Sequence, residues 1–260
     1  MKITIITLGS RGDVQPFVAL GRYLQQAGHE TVIVGADDFD DFVEGYGLPY
    51  HPLGLSVRDA AAAGAAHDLI REGNSVLDQL LSGEIEPEQI LSTAEIVIEA
   101  ATGSDLILST SGYMAIQVQI AAEKLGLPVI NAFMSPYITT REHPNLLTWR
   151  VRQPKSQWAR VQLNLQIGLK MINQFRAATR AANAARRALE LPPVGPFAIA
   201  RATSSGPRMH VFSPFVYPEP AEWGPEDVAV GYFFLDDIDW MPPAELTSFL
   251  ENGPPPVYVG

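Results

Sequence analysis

The stretch TLGSRGDVQPF, residues 7–17, holds two glycines, a serine, an arginine and an aspartate between an apolar run and a helical pattern. An aspartate at the start of a helix has two chemistries open to it. Asp13 can cap the helix, its carboxylate accepting a free backbone N–H, with Pro16 near the first helical position. It can also serve as a base once a hydroxyl comes within hydrogen-bond reach. Gly9 and Gly12 permit positive φ or the close approach of a ligand, and a helix start at the carboxyl end of a strand is where phosphates sit. Ser10 and Gly12 suit such an anion through a hydroxyl and turn N–H groups. Arg11 reads either as a ligand contact or as an exposed turn residue.

Neither common nucleotide loop is present. Gly9-Ser10-Arg11-Gly12 gives only G-x-x-G, where a dinucleotide fingerprint needs G-x-G-x-x-G. Asp37 and Asp38 stand about where a ribose-binding acid would, which keeps a nicotinamide-dependent reductase open as a third reading.

The elements around this turn alternate. Ile3–Leu8 reads as a strand buried on both faces, Pro16–Ala27 as a helix stopped by Gly28, and Thr31–Val34 as a second strand. Residues 49–53 give a short third strand, Ile90–Ala101 a helix, Asp105–Ser109 a strand, Ala115–Leu125 a helix ended by Gly126, and Pro128 onward another strand. This β-α-β repetition predicts an α/β, Rossmann-like, doubly wound parallel sheet, with ligands at the edge formed by the strands' carboxyl ends. There Ser109, Thr110, Ser111 and Gly112 read as a helix cap or as pocket lining. Phe133, Met134, Pro136 and Tyr137, after the next strand, read as an apolar pocket wall or as packing in a tethered loop. From about Lys155 to Leu191 apolar residues recur every three or four positions, predicting a helix or helix pair with its arginines opposite the buried face. Residues 209–213 and 228–235 read as strands and Ala244–Glu251 as a short helix.

Composition narrows the classes. The chain has 260 residues, enough for one large domain or for one domain and the start of another, and a net charge of -11, which argues against a nucleic-acid binder. Between Arg150 and Glu190, however, nine cations stand against one acid. That segment, 150–187, reads as a solvated helix face or as a surface resting on anionic lipid at the inner face of a membrane. Without cysteine there is no disulfide or thiolate chemistry, and the five histidines lack metal-ligand spacing. No signal peptide or membrane-length apolar run is seen, so a cytoplasmic protein is expected.

GSRGDVQPFVALGRYLQQAGHETVIV (9–34) resembles the opening of the N-terminal domain of family 28 glycosyltransferases, the group with sterol 3-β-glucosyltransferases and glycopeptide-antibiotic glycosyltransferases. The resemblance continues in AEKLGLPVINAFMSPYITTREHP (122–144), VGYFFLDD (230–237) and FLENGPPPVYVG (249–260). It implies the acceptor-binding N-terminal half of a GT-B fold, an enzyme of two Rossmann-like domains that transfers sugar from a UDP- or TDP-sugar with inversion. Residues 1–240 would be the acceptor-binding domain, and 241–260 a linker with the first strand of a donor-binding domain. The resemblance places Asp13 as catalytic base and Ser10, Arg11 and Gly12 beside the donor. Ser111, Gly112, Phe133, Met134, Tyr137 and His143 would face a lipophilic small-molecule acceptor. His143 stands where such proteins often carry an aromatic apolar residue. The nucleotide sugar would be a co-substrate, with no cofactor and no metal expected. The family's HxGxGT-like segment is missing from this sequence, so the chain is expected to be inactive alone. The alternative is a stand-alone small-molecule-binding or subunit-docking module.

Overall fold

A computed structural model describes residues 1–62, 86–110, 114–136, 176–195, 198, 201, 206–236 and 241–257. Its strands are β1 Lys2–Ile6, β2 Glu30–Gly35, β3 Tyr50–Pro52, β4 Leu106–Ser109, β5 Val129–Phe133, β6 Arg208–His210 and β7 Asp227–Ala229. Among the described residues they form one seven-stranded sheet in the order β3-β2-β1-β4-β5-β6-β7, and every pairing is parallel. The order runs outward in both directions from β1 and β4. That reversal is the topological switch point of a doubly wound sheet, where ligands bind outside the carboxyl ends of the strands.

Each face of the sheet is covered because each central strand is apolar on both sides. On one face Ile3, Ile5, Ile33 and Leu108 pack against Val14, Phe17 and Val18 of helix α1 (Arg11–Gln26) and Val43 of α2 (Asp40–Glu44). Each large apolar side chain so buried contributes about 1.5–3 kcal/mol. On the other face Ile6, Val34 and Ile107 meet Val97, Ala100 and Ala101 of α4 (Pro87–Ala101), and Val118, Ala121 and Ala122 of α5 (Ala115–Leu125). Helix α3 spans Val57–Ala62. Gly126, left-handed at φ 67°, ends α5 as its spacing predicts.

A further helix, α6, covers 176–188 and packs Ala181 and Ala185 onto Ile90 and Ala94 of α4 and Ile120 of α5. Here the expected separation of apolar face from arginines fails at one position. Arg186 is 2% exposed, and its guanidinium grips both oxygens of Glu123 at 2.7 and 2.8 Å and the Pro192 carbonyl at 2.7 Å. A charge can enter a core when every donor finds a partner, and Glu123 on α5 supplies what periodicity could not show. Arg176, Arg180 and Arg187 are exposed, as expected.

Two predicted strands are shorter than expected. β6 ends at His210 instead of continuing to Ser213, and β7 occupies only Asp227–Ala229, with 230–236 outside regular structure. Phe233 in that segment packs edge-on against Phe17 of α1, with ring centroids 6.2 Å apart, and Leu235 joins the same cluster, so alternate residues serve side-chain packing in place of a longer ladder while Val230, Tyr232 and Phe234 stay exposed. Helix α7, Ala244–Glu251, matches its predicted span and buries no residue within the described chain.

Candidate functional site

β1 stops at Ile6, and the chain turns into α1 directly at the switch point. Thr7 holds the exit: its N–H donates to the Val34 carbonyl and its hydroxyl to the Asp13 carbonyl, both at 2.9 Å. Ser10, in extended conformation, is the N-cap, and the helix begins at Arg11. This corrects two expectations. The helix starts five residues before Pro16, and Asp13 is its third residue and not the cap. The physical reason is a loop that Asp13 closes on itself. Its Oδ2 accepts the Ser10 N–H at 2.6 Å and the Ser10 hydroxyl at 3.0 Å. Pro16 fits inside the helix because its fixed φ suits it; the cost is the N–H that the Gly12 carbonyl would otherwise accept.

The two glycines of the turn have different causes. Gly9 sits at φ 144°, and a Cβ built there would lie 2.2 Å from Asp13 Oδ2. Only glycine lets the carboxylate fold back this far. A Cβ on Gly12 would meet nothing closer than the Ser10 hydroxyl oxygen at 3.7 Å, an ordinary contact, so nothing described in the chain demands glycine there. Its absent side chain leaves the exposed first turn of α1 as bare backbone, open to a group outside this chain.

Arg11 is held sideways. Its guanidinium carbon lies 4.6 Å from the centre of the Phe42 ring and its Nε donates to Gln15 Oε1 at 3.1 Å. Ser10 and Arg11 are exposed and Asp13 is half-buried. With Oδ2 committed to Ser10, Asp13 Oδ1 has no hydrogen bond among the described residues.

Across the switch point, Thr110 follows β4 and donates its N–H to the Ile6 carbonyl at 2.9 Å. Ser111, Gly112, Tyr137 and His143 lie outside the described residues. Met134 is half-buried against the cluster under α1. Phe133 is 8% exposed and stacks on His210 at 5.8 Å between centroids, which makes it a packing residue of this chain and not an open wall. The idea of Asp37 and Asp38 as ribose ligands loses support. Asp37 Oδ1 accepts the Gly54 N–H, and Asp38 accepts the Ser56 hydroxyl and the Val57 and Arg58 N–H groups, so both carboxylates tie down the loop before α3.

Sequence reasoning passed over one buried polar group. His210, 2% exposed, lies flat on Trp223 with centroids 3.9 Å apart and shares a 2.9 Å hydrogen bond between Nε2 and Asp227 Oδ1. Arg208 donates to both Asp227 oxygens, at 2.7 and 2.8 Å. The Arg208 hydrogen bond, outweighing burial and joined by that of His210, holds Asp227 far below the usual carboxylate range. Burial pushes the imidazole of His210 down despite Asp227. No spacing signal joins His210 to Asp227; the β6–β7 register, pairing Arg208 with Asp227, does so. Among the described residues no group of three or more His, Asp or Glu side chains could hold a metal ion.

A parallel Rossmann-like sheet with a glycine-bearing turn, an exposed helix start and a partly free carboxylate at the switch point defines an α/β domain with its candidate site at the carboxyl ends of the strands. Residues 3–146, more than half of the chain, match the glycosyltransferase family 28 N-terminal domain, and the chain belongs to that family. It is 33% identical to the sterol 3-beta-glucosyltransferase UGT80B1 of Arabidopsis thaliana, covering all of this chain and 42% of that protein. It is 29% identical to the O-mycaminosyltylonolide 6-deoxyallosyltransferase of Streptomyces fradiae, covering 99% of this chain and 60% of that protein. The chain therefore spans about half the length of these relatives. The crystal structure of the kitacinnamycin glycosyltransferase superposes with a TM-score of 0.57 at 15% identity, over 94% of this chain and 55% of the other. That likeness shows the fold, the Rossmann-like N-terminal half of a GT-B architecture.

Proposed function

We propose that the protein carrying this chain is an inverting glycosyltransferase, using a uridine or thymidine diphosphate sugar to glycosylate a hydroxyl of a lipophilic small molecule, with this chain as its acceptor-binding half. The observation that carries the reading is the Asp13 carboxylate: one oxygen pinned by Ser10, the other without a hydrogen bond among the described residues, at the carboxyl end of β1. In this reaction the acceptor O–H gives its proton to Asp13 as its oxygen attacks the anomeric carbon. The bond from that carbon to the diphosphate breaks with inversion, and the electron pair leaves with the nucleoside diphosphate. The reading needs the acceptor hydroxyl held within hydrogen-bond reach of the free oxygen, so that the proton passes to it as the new bond forms.

Gly12 presents bare backbone where a diphosphate would approach, beside Ser10, whose hydroxyl would have to turn from Asp13 to donate to it, and Arg11, braced by Phe42, supplies a cation at the same helix start. Met134 borders the acceptor space, with Phe133 supporting it from within; Ser111, Gly112, Tyr137 and His143 keep the acceptor-facing roles their positions suggest. Residues 241–260 form the link to a donor-binding half. In support, α7 exposes Leu246, Phe249 and Leu250, as a segment that packs against further chain would. A peripheral contact of 150–187 with anionic lipid draws on the exposed Arg176, Arg180 and Arg187, without Arg186.

The test is transfer by the full-length protein from an α-linked UDP- or TDP-sugar to sterol and macrolide hydroxyls, with the anomeric configuration of the product read by NMR. A β-glycoside supports the reading. An α-glycoside, or no transfer to any acceptor, contradicts it and returns the chain to the binding-module alternative.

A further inference from the structure

Beside Asp13 the switch point holds a second oxygen that the fold does not use. Thr110 is 8% exposed, and its side-chain Oγ1 is buried without a hydrogen-bond partner among the described residues. Its place follows from the register. Ile6 pairs with Ser109 across β1 and β4, so Thr110 lies level with Thr7, one step beyond the paired strands. Side chains alternate along a strand, and Leu108, two residues earlier, packs in the cluster under α1. Thr110 thus shares the α1 face with Thr7, whose hydroxyl donates to the Asp13 carbonyl. On that face Thr7 Oγ1 is spoken for and Thr110 Oγ1 is not.

A buried hydroxyl without a partner costs a folded protein stability, and native structures seldom keep one without cause. Valine has nearly the same shape and would fill the position without that penalty. Threonine gains something only if a partner arrives from beyond the described residues, as a ligand would. The position, on the α1 face at the strand end adjoining β1, limits that partner to a group entering the switch point beside Asp13.

We propose that Thr110 Oγ1 is a substrate-binding hydroxyl, completing its hydrogen bonding with an alcohol group of a ligand in the Asp13 site. The inference rests on the reading of this edge as the acceptor side of a sugar transferase. An alcohol is the matching chemistry because a hydroxyl both donates and accepts, as Thr110 does. Two sources could provide it, the acceptor itself or a ring hydroxyl of the transferred sugar. In either case Thr110 fixes the alcohol by a hydrogen bond while Asp13 takes the proton from the attacking oxygen. Thr110 is then a determinant of affinity, with no proton transfer of its own.

The experiment compares wild type, Thr110→Val and Thr110→Ser in the full-length protein. It measures thermal midpoint and steady-state transfer from UDP-glucose and TDP-glucose to a 3β-hydroxysterol and a macrolide aglycone. Thr110→Val is expected to melt at or above the wild-type temperature while kcat/KM falls about fivefold or more, with Thr110→Ser restoring most of it. A rise confined to the acceptor KM assigns the bond to the acceptor; one confined to the donor KM assigns it to the sugar. A lower melting temperature for Thr110→Val would make the hydroxyl structural and overturn the inference, as would unchanged kcat/KM. If wild type transfers to no acceptor, the transferase reading fails and takes the inference with it. A wild type that transfers beside an unimpaired valine variant overturns the Thr110 inference alone.

Discussion

Replacing Gly9 with alanine would put a methyl where the Asp13 carboxylate now lies. The new Cβ would stand 2.2 Å from Oδ2, 2.5 Å from Cγ and 2.9 Å from Cβ of Asp13, at a backbone φ of 144° that L side chains rarely adopt. Two penalties follow. The backbone strain is of order 1–3 kcal/mol. Expelling the carboxylate breaks its bonds to the Ser10 N–H and hydroxyl and frees the helix start, worth about 1 kcal/mol at this exposed position. The expected total is about 2–4 kcal/mol, which for a domain of this size lowers the melting temperature by roughly 4–16 °C. The assay is a double-mutant cycle of Gly9→Ala with Asp13→Ala, followed by thermal or urea unfolding. Asp13→Ala already removes the carboxylate, so adding Gly9→Ala then costs only the strain and the remaining Cβ contact. The two changes should be less than additive by about 1 kcal/mol. Strict additivity, or a Gly9→Ala protein as stable as wild type, would refute the claim that Gly9 exists to admit Asp13.

The His210–Asp227 pair sets the acid limb of stability. His210 is depressed below its ordinary 6.5, so the unfolded chain takes up this proton first and stability falls as pH drops below about 6.5. Asp227, also depressed, adds a second loss as pH falls below its ordinary 3.8. In urea titrations at several pH values, His210→Gln should flatten the slope just below pH 6.5 and keep most of the lower one, which Arg208 chiefly sets; an unchanged slope just below pH 6.5 would count against the assignment. Glu123→Gln leaves the Arg186 charge in the core with a neutral partner and should cost about 2–3 kcal/mol, less than a fully buried pair because Glu123 is partly exposed. A loss under 0.5 kcal/mol would mean that water reaches Arg186.

Which parts of the molecule could be read beforehand depends on how local their causes are. The central strands showed themselves because β1, β2 and β4 are apolar on both faces, and α5 because Gly126 ends it. The start of α1 was misplaced because proline commonly opens a helix, whereas here Asp13 and Ser10 close a turn before Pro16, through bonds that depend on Gly9 bending aside. Asp13 and Ser10 could be singled out from residue type and motif, but not the division of labour between the two carboxylate oxygens. Arg186 looked like one more surface cation because its partner Glu123 lies 63 positions away. His210, Asp227 and the orphaned hydroxyl of Thr110 acquire meaning only from sheet register, which joins strands distant in sequence.

The most direct test of Asp13 as base is the single-turnover rate of Asp13→Asn in the full-length protein, measured alongside donor affinity. Asparagine keeps an oxygen for Ser10 and the shape of the turn, and removes the capacity to take a proton. Loss of about 100-fold or more in the transfer rate, with donor affinity and melting temperature near wild type, is the predicted result. A rate within a few-fold of wild type would contradict it and leave Asp13 as a residue that only closes the turn at the head of α1.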